Sequence, residues 1–188
     1  MTLLATSLLL VFWFLQASSS QTPQPQTTPN EAGPAQTTAT KPPRGPSTAE
    51  ERQRLIAITH KLEASPLDQG LFKEREWAQE WLLEVPDVRI RTCTGLLVDL
   101  RRPRYKFRRE LWTQVRLASA VFLIDHPEKP NDYLGQSVAG MESALKAYSA
   151  IVKSDADARS KPLDDLLKQQ TQGKLADAVS ASISHCKF

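Results

Sequence analysis

The chain has 188 residues with a formal charge of +3, 40% hydrophobic residues, thirteen Pro, seven Gly and two Cys. That composition excludes a collagen, a coiled-coil rod, a wholly disordered chain and a disulfide-dense miniprotein. It fits one globular domain with room for tails.

Residues 3–15 carry no charge and are followed by Ala17, Ser18, Ser19 and Ser20. A short apolar run before small residues reads as a secretory signal peptide, here 1–20, cleaved after Ser19 or Ser20. As a helix, such a run spans about 20 Å at 1.5 Å per residue, short of a hydrocarbon core about 30 Å thick. No Lys or Arg precedes it. The expected destination is the secreted or periplasmic space.

Residues 21–46 hold seven of the thirteen prolines and no Leu, Ile, Val, Phe, Met, Trp or Tyr. Nothing there offsets chain entropy by burial, so a disordered Pro/Thr/Gln-rich linker is expected. Its Thr/Pro content also suits O-linked sugars. Neither Asn30 nor Asn131 begins an N-glycosylation sequon, because Ala32 and Tyr133 stand where Ser or Thr is needed.

Residues 47–188 read as an all-α domain of six or seven amphipathic helices. Ser47 and Glu50 have capping-box spacing, and Leu55, Ile58 and Leu62 then mark a helical face. Pro66 ends that helix. Asp68 is placed to cap the next, with Phe72, Ala78, Trp81, Leu82 and Val85 as its apolar side, and Pro86 closes it. Residues 88–100 mix both periodicities, and a short helix from about Thr92 is favoured.

From Tyr105 to Asp125 the spacing of Phe107, Leu111, Val115, Ala118 and Phe122 predicts a helix, which His126-Pro-Glu-Lys-Pro130 breaks. The strongest periodicity follows, at Leu134, Val138, Met141, Leu145, Tyr148 and Val152. Residues 144–155 resemble the second helix of a tetratricopeptide repeat through Ala144, Tyr148 and Ile151. The resemblance covers a dozen residues and no second copy appears near a 34-residue period, so the segment reads as a core helix. Pro162 suits the first turn of a helix with Leu163, Leu166 and Leu167. Gly173 precedes a last helix with Leu175, Val179, Ile183 and Cys186.

No P-loop, nucleophile elbow or dinucleotide fingerprint is present. No cofactor is expected. The three His are scattered. His126 lies among Asp125, Glu128 and Asp132, a spacing that suits either a metal or a capped helix corner, and the corner is favoured. Glu76, Glu80 and Glu84 form an acidic stripe at i, i+4 and i+8.

The outlier is basic. Between Asp87 and Leu117 nine Lys/Arg face three acids, a net +6 that leaves the rest of the chain at −3. On a helix, Lys106 and Arg109 lie opposite the apolar stripe, and Arg116 shares the face of Arg109. Arg101, Arg102, Arg104, Lys106, Arg109 and Arg116 are therefore the candidate contacts to an anionic envelope polymer, a lipid surface or an acidic protein. The competing fates are neutralisation by Glu76, Glu80 and Glu84, or simple solvation. Nucleic acid is not an expected partner of an exported protein.

The leading function is thus a non-catalytic exported binding domain. The alternative is an acid/base or metal-dependent enzyme in which Glu76, Glu80 and His126 converge in space. Cys93 and Cys186, both on apolar helix faces of an exported domain, are expected to form a disulfide.

Overall fold

The computed structural model describes residues 44–96 and 105–187, all within one unit, Pro42–Phe188. The expected signal peptide, nearly all of the expected linker, and Leu97, Leu100, Arg101, Arg102 and Arg104 lie outside the described residues. Within them the protein is all-helical, with no strand. Six helices run in order: α1 (Ala49–Ala64), α2 (Phe72–Glu84), α3 (Arg108–Asp125), α4 (Tyr133–Ser154), α5 (Lys161–Thr171) and α6 (Leu175–Ile183). Short 3-10 turns stand at Gln69–Leu71, 94–96 and Ala156–Ala158. No described helix is long and apolar enough to cross a membrane.

The start of α1 differs by one residue from the capping box expected at Ser47. Thr48 is the N-cap: its hydroxyl accepts the Glu51 N–H at 3.2 Å, and the Glu51 carboxylate accepts the Thr48 N–H at 3.0 Å. Both Ser47/Glu50 and Thr48/Glu51 satisfy the pattern, and a tertiary contact decides between them. Ser47 donates its N–H and its hydroxyl to Asp87, forty residues on, at 2.8 and 2.7 Å. Arg52 completes the cluster, donating to the same carboxylate at 2.8 Å.

Partial burial pushes the Asp87 carboxyl up, but the Ser47 N–H, the Ser47 hydroxyl and Arg52 together hold it below its ordinary value. A carboxylate with a depressed folded pKa stabilises above its unfolded pKa, near 3.9, and loses that contribution as pH falls through the folded one. Asp87→Asn should therefore cost about 1 kcal/mol at pH 7, and the difference from the parent should shrink towards zero at about pH 2. Thermal melts at the two pH values check this; a gap of equal size at both would contradict the assignment.

Helix α3 is the central element because two opposite faces of it are apolar. Leu111 and Val115 join the cluster built with Met141, Leu145, Tyr148 and Ile151 of α4, Leu163 of α5, and Leu175 and Val179 of α6. Leu117 and Ala120 join the other cluster, with Leu55, Ile58 and Leu62 of α1 and Ala78, Trp81 and Leu82 of α2. Gln114 is fully buried between them and donates to the Thr59 carbonyl of α1 and the Ser143 hydroxyl of α4, at 3.0 and 2.6 Å. Ser143 in turn donates to Glu63 at 2.6 Å. This chain of bonds satisfies polar groups that would be costly alone in a core.

Two predicted core assignments change. Phe72 is 52% exposed, because Asp68 caps the 3-10 turn rather than α2 and α2 begins only at Phe72. Leu134 is exposed at the first turn of α4, while Gly140, Ala144 and Ala147 are buried. The contact face of α4 is centred on small residues, which let α3 come close. A Cβ on Gly140 would lie 2.8 Å from the Val115 carbonyl oxygen and 2.9 Å from the Ser119 hydroxyl.

Cys93 and Cys186 form a disulfide with Cα atoms 6.0 Å apart, inside the ordinary range. It fastens the end of the chain to the 94–96 turn. The same junction excludes a side chain at Gly95, whose Cβ would meet the His185 ring at 2.7 Å.

Candidate anion-binding cleft

The two buried faces of α3 leave one strip of it outside. At 3.6 residues per turn, Arg108, Arg109, Trp112 and Arg116 fall within about 100° of the helix circumference, in the gap between the faces. They form one wall of a cleft of about 440 Å³. Gln79 of α2 and Thr94 of the 94–96 turn face them, and Thr113 closes the α2 side by donating to Gln79 at 3.5 Å. The disulfide holds the Thr94 wall from one residue away.

Three guanidiniums border this cleft, and none of them is hydrogen-bonded or ion-paired among the described residues. No carboxylate belongs to its described lining. Trp112 is half-buried, and no ring or cation stacks on its indole among the described residues. That differs from Trp77, which Arg54 covers at 3.9 Å. Among the described residues the cleft therefore presents positive charge without a carboxylate partner, forked donors and an indole on which nothing stacks.

The expected contacts separate. Arg109 and Arg116 meet in this cleft, seven residues apart on one face. Lys106 stands outside it, exposed and paired with Asp155 at 2.7 Å. That bond holds the Asp155 carboxyl below its ordinary value. The partner comes from the end of α4 and not from the acidic stripe. Tyr105, next to Lys106, packs partly on the core. Its hydroxyl donates to the Ala158 carbonyl at 2.9 Å, and burial pushes that phenol up.

Glu76 shares a neighbouring cleft with Arg75, Arg109 and Glu110, yet no ion pair joins Glu76 or Glu80 to Arg109 among the described residues. His126 lies elsewhere, in a third cleft with Arg52, Asp87, Arg89 and Arg91, its ring against Phe122 at 4.7 Å and Nδ1 3.5 Å from Glu128. Asp132 caps α4 by accepting the Gly135 N–H at 2.8 Å. Glu76 and His126 thus occupy separate clefts. Among the described residues the His, Cys and carboxylate group close enough for a metal is Cys93, His185 and Cys186, whose two sulfurs are bonded to each other.

Arg108 and Trp112 were not among the residues singled out from sequence. Trp112 sits three after Arg109 and four before Arg116, so helical projection places it beside them on one face. Gln79 and Thr94 carry no local signal, since tertiary packing alone brings them to α3.

No protein-family model matches the chain, and no curated protein or solved structure shows significant similarity to it.

Proposed function

We propose that this is an exported, non-catalytic helical domain that binds an anionic partner through the cleft of Arg108, Arg109 and Arg116. The observation that carries the reading is three guanidiniums around one cleft with no carboxylate partner among the described residues. Arginines are usually paired where they gather, because converging like charges repel; left open, they suit a carboxylate, phosphate or sulfate. Export is supported by the uncharged run before Ala17–Ser20 and by the disulfide, which persists in oxidising compartments.

The test uses retention on poly-glutamate resin and cosedimentation with phosphatidylglycerol vesicles across a salt series. The parent protein should bind at low salt and release as screening shortens to about 8 Å near 0.15 M. Replacing Arg108, Arg109 and Arg116 together by Gln should weaken retention about tenfold or more with helical circular dichroism unchanged. Parent and variant eluting at the same salt would refute the cleft as the anion site. Export has its own check: amino-terminal sequencing of protein from the native host should begin at Ser20 or Gln21, and an intact Met1 in washed membranes would contradict cleavage.

A further inference from the structure

We infer that the cleft recognises an acidic sugar, a pyranose ring bearing a carboxylate, as a unit of a uronate-containing polysaccharide. The inference rests on the proposed anion-binding role and names the ligand class.

Three features of the cleft select such a ligand together. Arg109 and Arg116 stand two helical turns apart, each about one turn from Trp112 on the same strip. A carboxylate between them accepts forked N–H donors on one side of the indole. Trp112 lines the cleft, half-buried against the core, with nothing stacked on its indole and no hydrogen bond from its N–H among the described residues. The aliphatic C–H face of a pyranose fits that surface, with the ring's polar edge turned outward. The Thr94 hydroxyl, also without a partner among the described residues, lies on the opposite wall for the ring hydroxyls. A volume of about 440 Å³ falls in the ordinary range of small-molecule pockets, large enough for one or two sugar units.

A ringless anion meets only part of this chemistry. A lipid phosphate would satisfy the arginines and leave the indole and the Thr94 hydroxyl without partners. A neutral sugar would stack on Trp112 and leave three cations gathered together. The acidic pyranose uses all of the walls.

The experiment titrates the full exported chain with trigalacturonate by calorimetry, alongside its neutral methyl ester and the ringless tricarboxylate tricarballylate. Trigalacturonate should bind at least tenfold more tightly than either control. Trp112→Leu should lose tenfold or more of that affinity with helical circular dichroism unchanged. Because Trp112 packs partly on the core, an NMR titration of the parent supplies a second readout: the Trp112 indole N–H, assigned with Trp112→Phe, should shift with trigalacturonate and stay in place with tricarballylate. Equal affinity for tricarballylate, or an unmoved Trp112 signal, would overturn the sugar assignment and leave the anion-binding role standing. Failure of the parent to bind trigalacturonate, poly-glutamate or anionic vesicles would overturn both.

Discussion

Reducing the Cys93–Cys186 bond should lower the melting temperature of the domain by about 10 °C. The cysteines are 93 residues apart, and closing a loop of that length gives about 4–5 kcal/mol in the chain-entropy model. Natural bridges commonly deliver less than that value, and each kcal/mol moves a domain of this size by about 2–4 °C. The effect has a local side as well. Cys186 lies beyond the last turn of α6, and the bond holds that segment to the residue before the 94–96 turn. Release of Cys93 also frees the Thr94 wall, so the reduced protein should bind anions several-fold more weakly. Cys186→Ser should melt with the reduced parent, and coincident melts with and without reductant would refute the role of the bridge.

Replacing Gly140 by Val should destabilise the protein by about 3 kcal/mol, an overpacking cost where α3 and α4 cross. Helices α3 and α4 meet there, with Ser119 donating to the Gln136 carbonyl at 2.9 Å. The obstacle to a new Cβ is the backbone carbonyl of Val115, which cannot rotate away as a long side chain can. Ala at this position gains up to about 1 kcal/mol in helix propensity over Gly, so Gly140→Ala should lose less than Val but still melt below the parent. A Gly140→Val protein that melts with the parent would show that the two helices do not approach as closely as described.

The helices were legible because apolar residues recur at three and four over long stretches, and prolines 66, 86, 127 and 130 mark their ends. The disulfide was legible from two facts, an expected oxidising compartment and two cysteines on apolar faces. What failed is local. Two overlapping capping boxes cannot be ranked without knowing that Asp87 takes Ser47. Phe72 reads as core by type, yet its position at the first turn of α2 leaves it outside. On α4 the large residues draw the eye to a stripe through Leu134 and Val138, while the tight contact is made by Gly140, Ala144 and Ala147. The basic segment was legible as charge but not as a cleft. Charge counting gathers Lys106 with Arg109 and Arg116; folding pairs Lys106 with Asp155 and brings Trp112, Gln79 and Thr94 to the arginines instead.

The most direct measurement is an NMR titration of the arginine side chains with hexaglutamate at low salt. The Nε–Hε signals of Arg108, Arg109 and Arg116 should shift together and saturate, while those of Arg52, Arg89 and Arg91 at the His126 cleft stay in place. Shifts that spread over all the arginines in proportion to their exposure, or that concentrate at Arg52, Arg89 and Arg91, would contradict the Arg108–Arg116 cleft as the binding site.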